Sequence, residues 1–365
     1  MELIEQDTAI RRQEPSDSQH TVSAQSDETT YAQDVSSGRV IWNLDRLDQH
    51  HNALDGQYIP ESNGENVDVY ILDTGIRYSH KEFEGRAQYA GYDAIDDQTG
   101  SNQQGADCRG HGTHCAGTVG GKTYGVAKRV NLFSARALDC TGSGAVGGII
   151  KMMDFIIQHQ NEHGNGRPAV ISESIGIKTS TALDASVRKV TEAGIVVVSA
   201  SGNQYDDSCK HSPASARVGI SVGATDQGDK VQTFSNTGAC TDIFAPGTDI
   251  KSASDQCDTC TAVKTGTSMS CPHAAGYAAI LRGLHPHASA AEIKQRVLQQ
   301  STKGVIDLSD VPHNWAVKTE NRLLYVPEPT ANDNDLGTIH ATQEAKQESD
   351  RSVLNHLMSL FRLNR

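Results

Sequence analysis

Short apolar runs alternate with stretches of helical periodicity along most of this chain, and this alternation constrains the fold more than any other feature. Buried strands are predicted at residues 67–72, 130–135, 169–172 and 195–200. Helices are predicted at residues 144–163, 183–190 and 269–284, and from an N-cap at Ser289 to Gln300. We therefore expect an α/β fold with a mainly parallel, doubly wound sheet flanked by helices. In such sheets, functional sites form at the carboxyl ends of the strands.

The composition limits the domain count and the partners. A chain of 365 residues suits one large domain with tails, and the polar stretches before residue 39 and after residue 327 read as those tails. Residues 353–363 have amphipathic spacing, but we expect a solvated tail there.

A net charge of −13 argues against nucleic-acid and anionic-membrane partners, since both require a basic surface. No apolar run reaches the roughly 20 residues of a membrane-spanning helix.

Eight cysteines raise the question of disulfides and metal sites. Cys257 and Cys260 form a C-x-x-C motif, which occurs in zinc sites, in redox proteins and in small disulfide loops. A zinc site needs a second ligand pair at similar spacing, and a redox motif lies between a strand and a helix. The sequence offers neither context, so we favour a local disulfide over these two alternatives.

Three polar segments carry candidate chemistry, and each has an ordinary structural alternative. Asp73 begins an Asp-Thr-Gly turn that also marks aspartic proteases, but those need a second such triplet, which is absent. His111 and His114 could bind a metal from one helix face, but a clear third ligand and a suitably placed Glu are lacking. Ser268 precedes a predicted helix, where it is either an N-cap or a nucleophile whose reacting partner is stabilised by the helix dipole.

Taken together, the three segments resemble the signatures of the subtilase family, whose catalytic residues follow the order Asp, His, Ser. The segments are 73–76, 111–119 and 266–273. Further motifs resemble the proteinase K branch of this family, and they lie at 125–128, 212–215 and 242–247. The resemblance covers roughly residues 39–310 and implies a subtilisin-like three-layer fold and a secreted serine endopeptidase with broad specificity.

The family mechanism carries over to residues of this chain. Ser268 would attack the scissile carbonyl, His111 would take and return the proton, and Asp73 would hold the imidazole. Asn203 matches the family's oxyanion-hole amide, with the Ser268 backbone N–H as second donor. The resemblance implies that no cofactor takes part in catalysis.

Substrate binding is expected by addition of a peptide strand between two edge segments of the enzyme. By resemblance, these edges are Gly142, Ser143 and Gly144 on one side and Ser174, Ile175 and Gly176 on the other. Ala200 and Gly202 should line a primary pocket that admits apolar or aromatic side chains. Glu173 stands where the family is usually apolar, and we expect it to point into solvent.

Three disulfide bonds and a structural calcium ion are also implied by the resemblance. The cysteine pattern resembles that of a receptor-binding, convertase-like branch, and it pairs Cys108 with Cys140, Cys209 with Cys240 and Cys257 with Cys260. Cys115 and Cys271 would remain free, and Cys115 lies one turn beyond His111, so a mercurial should inhibit the enzyme. A structural calcium ion would be held by Asp242 and by backbone carbonyls near Arg217 and Gly219, although Asp242 could equally cap a turn.

The start of the chain resembles the last strand of the family's inhibitory propeptide. We expect residues 1–12 to be a propeptide remnant, 13–38 a linker with the processing site, 39–326 the catalytic domain and 327–365 a polar tail. The mature enzyme would begin near residues 31–40, with Gln33 as one candidate cleavage site. A signal peptide and the rest of the propeptide would lie upstream, which agrees with the expected disulfides and secretion.

Two functions from different classes fit these features. The first is a monomeric endopeptidase acting on polypeptides and inhibited by its own propeptide. The second is a self-processed subtilase that keeps its propeptide and serves as a protein-binding module. The Pro-His that follows Cys271 is typical of active enzymes, and the chain has no long Cys-rich C-terminal domain, so we favour the first.

Overall fold

The computed structural model describes the backbone of residues 9–12 and all of residues 40–95 and 104–329. The chain divides into two compact units, Met1–Val326 and Pro327–Arg365, and the description below concerns the first. The predicted linker at 13–38 and the amphipathic stretch at 353–363 lie outside the described residues.

Fifteen strands and seven helices are formed by the described residues, apart from single turns of 3₁₀ helix. The strands are β1 (Ala9–Arg12), β2 (Asp68–Asp73), β3 (Ala87–Tyr89), β4 (Asn131–Arg136), β5 (Ser143–Ala145), β6 (Ala169–Glu173), β7 (Ile175–Lys178), β8 (Val196–Ala200), β9 (His211–Ser212), β10 (Ile220–Thr225), β11 (Ile243–Pro246), β12 (Ile250–Ala253), β13 (Thr261–Lys264), β14 (Thr302–Lys303) and β15 (Arg322–Leu323). The helices are α1 (Trp42–Asp45), α2 (His111–Gly120), α3 (Val146–His163), α4 (Thr181–Glu192), α5 (Thr267–Leu284), α6 (Ala290–Gln300) and α7 (His313–Ala316).

A nine-stranded sheet forms the centre of the fold, in the order β14-β15-β11-β10-β8-β6-β2-β4-β3. All neighbouring pairs are parallel except β14 with β15. The predicted mainly parallel α/β fold is therefore confirmed. The parallel order brings the carboxyl ends of β2, β6 and β8 to one edge of the sheet, which is where the candidate catalytic segments begin.

Apolar side chains cover both faces of this sheet. On β2, Val69 and Ile71 pack into a core that also holds buried residues of α2 and α5. Tyr70 and Leu72 point the opposite way, into a second core with residues of α3 and α4. Because both faces are buried, the strands are continuous apolar runs, and this is why the sequence located them well.

The helix signals were also accurate. Ser289 caps α6 as predicted, with its side chain accepting from the backbone N–H of Glu292 while the Glu292 carboxylate accepts from Ser289. Helix α5 begins two residues before the predicted start at Met269, and this difference places Ser268 inside the first turn.

The three cysteine pairs implied by the resemblance are disulfide-bonded in the structure, and Cys115 and Cys271 are free and buried. Among the described residues, no helix is both long and apolar enough to cross a membrane.

Candidate active site

Two of the predicted catalytic side chains are buried and hydrogen-bonded to each other. Asp73 ends β2 and His111 begins α2, and neither side chain is exposed to solvent. The Nδ1 atom of His111 lies 2.7 Å from Oδ1 and 2.8 Å from Oδ2 of Asp73. Since carboxylate oxygens only accept, Nδ1 is assigned as the protonated ring nitrogen and donates to Asp73.

Small residues allow α2 to approach the end of β2 this closely. A Cβ atom on Gly112 would lie 2.2 Å from the carbonyl oxygen of Gly75 and 3.1 Å from Cβ of Asp73. Any side chain at this position would force the helix away from the strand. Gly112 therefore permits the close approach of α2 to the end of β2.

Asp107 holds this region together, although sequence reasoning did not single it out. Its Oδ2 accepts from the backbone N–H of Thr113 at 2.8 Å, and its Oδ1 accepts from that of Gly110 at 2.9 Å. Oδ1 also accepts from the Thr74 hydroxyl at 2.9 Å. One carboxylate thus ties the start of α2 to the end of β2. Its position four residues before His111 was the available signal, since Asp favours helix starts.

Ser268 is the second residue of α5 and is fully buried. Its carbonyl oxygen accepts from the Ser174 hydroxyl at 2.9 Å, and its own Oγ lies 3.5 Å from the Ser174 carbonyl oxygen. The Cys115 sulfur connects the two parts of the site, because it lies 3.5 Å from the Ser268 carbonyl and 4.0 Å from Nδ1 of His111.

A metal site shared by His111 and His114 is not supported by the geometry. His114 makes a bond of 2.8 Å from Nε2 to the carbonyl of Ile250, and burial lowers its pKa well below the usual value, so it is a neutral structural residue. Burial, and then the charge of Asp73, raises the pKa of Cys115 well above that of a free thiol. Cys115 is therefore a thiol at neutral pH and a poor nucleophile.

Asn203 lies beside the first turn of α5. Its Oδ1 accepts from the backbone N–H of Thr267 at 2.9 Å and from the Thr267 hydroxyl at 2.8 Å. These two bonds fix the orientation of the amide, so that the donor atom Nδ2 faces away from Thr267.

Strand β1 lies between the two segments predicted to bind a peptide, in a four-stranded sheet of order β5-β1-β7-β9. β1 pairs antiparallel with β5, with Ile10 opposite Gly144, and antiparallel with β7, with Arg11 opposite Gly176. The segments predicted to bind a peptide thus already hold an extended segment of the same chain.

The comparison with known families decides the identity of the fold. Residues 64–326 match the Subtilase family of peptidases. This chain belongs to the subtilase family. It is accordingly a serine-type peptidase.

Similar proteins support this assignment. The chain is 41% identical over 327 residues to an "Extracellular serine proteinase" of Thermus sp., and the match covers 90% of this chain and 75% of that one. It is 39% identical over 273 residues to "Alkaline serine exoprotease A" of Vibrio alginolyticus, covering 75% of this chain and 49% of the relative. A crystal structure of a cold adapted subtilisin-like serine proteinase matches with a TM-score of 0.72 and 38% identity, covering 79% of this chain and 98% of the other.

Two residues of this subtilase that were predicted to line a primary pocket, Ala200 and Gly202, lie at or just after the end of β8. Ala200 ends β8 and is buried, and Gly202 has a left-handed backbone conformation with φ of 112°. A Cβ on Gly202 would lie 2.1 Å from Nδ2 of Asn236, so only glycine fits there.

The expectation for Glu173 was wrong. This last residue of β6 is fully buried rather than exposed, and neither carboxylate oxygen has a hydrogen-bond partner among the described residues. Strand alternation puts its side chain on the face of Ala169 and Ile171, against the core under α3 and α4. Burial, and then the charge of Asp184, raises the pKa of Glu173 to about 8.

The oxygen atoms predicted to bind calcium surround a side-chain cation instead. The Nζ atom of Lys294 lies 2.9 Å from Oδ2 of Asp242, 2.9 Å from the carbonyl oxygen of Arg217 and 2.6 Å from that of Gly219. Sequence reasoning grouped the three acceptors correctly but missed the lysine, which lies 52 positions beyond Asp242.

Proposed function

We propose that this subtilase is a secreted endopeptidase that hydrolyses peptide bonds through an acyl-enzyme on Ser268. The observation that carries the proposal is the pair formed by Asp73 and His111 beside a cleft in which β1 is held as an added strand. The relative from Thermus sp. is named an extracellular serine proteinase, which agrees with secretion.

The described geometry supports a defined role for each member of the triad. Asp73 keeps Nδ1 of His111 protonated and stabilises the imidazolium that forms when Nε2 takes the Ser268 proton. His111 then returns this proton to the leaving amine, and in the second half of the reaction it activates water to attack the acyl-enzyme. Burial of the Asp73–His111 pair removes competing water and strengthens this interaction.

Asn203 and the Ser268 backbone N–H are proposed as the two donors to the tetrahedral oxyanion. The bonds from Thr267 set the Asn203 amide before substrate arrives, so little reorganisation is needed in the transition state. We expect Asn203→Ala to lower kcat by about 10²–10³-fold with little change in KM, the loss known for one such donor in a subtilisin.

Substrate is proposed to bind as a strand between β5 and β7, in the register that β1 adopts. Backbone pairing does not depend on side-chain identity, so specificity is broad and rests on the pocket beside Ala200 and Gly202. Small residues at this pocket favour apolar or aromatic side chains.

β1 also favours the second candidate function. An enzyme whose cleft is filled by its own N-terminal segment is inhibited until that segment leaves, and a segment that never leaves would make the protein a binding module. We favour release, because the part of the segment that the structure describes pairs over four residues.

The two functions are separated by incubating the secreted protein, made from its full precursor, with casein and with a serine-directed fluorophosphonate. An endopeptidase degrades casein and is labelled at Ser268, while the Ser268→Ala variant does neither. A wild-type protein that cleaves its own chain but ignores both casein and the probe would establish the binding module instead.

A further inference from the structure

The acceptors that the family resemblance assigned to calcium are satisfied by the Lys294 ammonium group. A protonated lysine has three N–H donors and no acceptor. The contacts to Asp242, Arg217 and Gly219 therefore engage all three donors, at distances of 2.6–2.9 Å. These distances are those of N–H···O hydrogen bonds.

This donor set does not fit a calcium ion beside the lysine. Calcium takes about six to eight oxygen ligands at about 2.3–2.6 Å, whereas the described site offers one carboxylate and two carbonyls, with the ammonium nitrogen between them. The charge of Asp242 is already balanced by Lys294. A divalent ion added there would be repelled by the ammonium group, and it would have to displace that group to reach the oxygens.

The surrounding structure holds the lysine in this position. Helix α6 is fixed at its start by the Ser289 cap and along its inner face by buried Ile293 and Val297. Lys294 follows Ile293, and its side chain is only 12% exposed. The helix position therefore brings the Lys294 side chain within reach of the acceptors.

The acceptors come from two segments that the fold brings together. Arg217 ends a 3₁₀ turn in a left-handed conformation with φ of 64°, which a non-glycine residue rarely adopts. Asp242 immediately precedes β11, and its Oδ2 also accepts from the backbone N–H of Ser221 in β10 at 2.9 Å. Without a cation, one partly buried carboxylate and two carbonyls would face one another.

We propose that Lys294 serves as a built-in cation that replaces a bound metal ion at the Asp242 site. Its ammonium group joins α6 to the starts of β10 and β11, and this connection does not depend on the calcium concentration. Calcium that binds elsewhere on the protein would not change this site.

The first test compares the protein with its Asp242→Asn variant, both carrying Ser268→Ala to prevent self-digestion. Apparent unfolding temperatures are measured at one scan rate, in millimolar calcium and in excess chelator, because large secreted proteases often unfold irreversibly. We expect Asp242→Asn to lower the unfolding temperature by about 4–8 °C, and equally in both solutions. A deficit present only in calcium would show that Asp242 binds the metal, and it would overturn the proposal.

The second test removes the cation itself. Lys294→Met keeps the length of the side chain and should produce the same calcium-independent deficit, while Lys151→Met, at an exposed position on α3, should produce none. A Lys294→Met variant as stable as the parent would refute the role of the ammonium group.

A third measurement needs only the wild-type sequence at position 294 and so does not depend on whether a variant folds. Native protein is reductively methylated, and the labelling of Lys294 and of exposed Lys151 is followed by peptide mass spectrometry. We expect slow labelling of Lys294, at the same rate with calcium and with chelator. Labelling as fast as at Lys151, or labelling accelerated by calcium, would mean that the ammonium group is free or displaced by metal, and either result would overturn the proposal.

Discussion

The buried carboxyl group of Glu173 should make the stability of the protein fall as pH rises. Its pKa is raised to about 8 by burial first and by the charge of Asp184 second, from an ordinary value of 4.5. Between these two pH values the folded state keeps a proton that the unfolded state has lost. The stabilisation is therefore complete below about pH 4.5 and is lost progressively as pH rises to about 8.

The size of the effect follows from the shift in pKa. A difference of about 3.5 units at about 1.4 kcal/mol per unit gives an upper limit of about 5 kcal/mol, and we expect about 2–4 kcal/mol after relaxation around the charged group. Asp184 is the acidic neighbour that opposes ionisation, and its Oδ2 accepts from the Ser215 hydroxyl at 2.7 Å.

The substitution Glu173→Met tests this pH dependence, because Met has a similar volume but no titrating or hydrogen-bonding group. We expect the variant to gain stability over the parent as pH rises, with the difference growing from about pH 4.5 to about pH 8 and then levelling. Glu173→Gln should also remove the pH dependence but gain less stability, since its buried amide still lacks described partners.

The assay is urea unfolding at a series of pH values, with all variants in the Ser268→Ala background and m-values compared to confirm equal exposure of surface. Glu192→Gln, at the exposed end of α4, is the matched control and should follow the parent at every pH. Titrating groups that do not interact with position 173 contribute equally to parent and variant and cancel in the difference. A difference between parent and Glu173→Met that stays constant with pH would refute the reasoning.

Three further predictions concern other parts of the chain. A mercurial should inhibit the active enzyme by binding the Cys115 sulfur. This sulfur and ligand atoms of Asp73 and His111 lie within 4.8 Å of one another. A Cys115→Ala variant that is inhibited equally would exclude this mechanism. β1 pairs Arg12 with Ile175, the neighbour of Ser174, so intact mass of the earliest self-cleavage product should place the first cut within a few residues of Arg12 rather than in the range 31–40 expected from the sequence. An earliest cut among residues 31–40 would contradict this register. Arg46→Ala should reduce the free energy of unfolding, measured in urea, by about 3–5 kcal/mol because it leaves the buried carboxylate of Asp229 unpaired. A loss below about 1 kcal/mol would show that this buried ion pair is unimportant.

The sequence predicted the secondary structure of the central sheet because its strands are buried on both faces. The runs at 67–72 and 195–200 are almost entirely apolar, and each is found as a strand within one residue of the predicted bounds. Short edge elements such as β14 and β15 have two residues each and were not predicted, since so few residues carry no periodic signal.

The candidate catalytic residues were also identified from sequence, because each belongs to a motif of several residues. The Asp73–His111 contact then follows from the parallel sheet and from Gly112, which lets the helix approach the strand. Glu173 was misplaced because a charged residue at the end of a strand usually reaches solvent, and nothing local reveals that α3 and α4 cover this one.

Local sequence thus determined the strands, the helices, the helix caps and the motif residues, all of which depend on neighbours within a few positions. The tertiary structure alone decided that β1 lies in the cleft, that Glu173 is buried and that Lys294 reaches Asp242. These are contacts between residues far apart in the chain, and each depends on how whole elements pack. The physical reason is that burial and pairing, rather than residue type, set the charge state and the partner of a side chain.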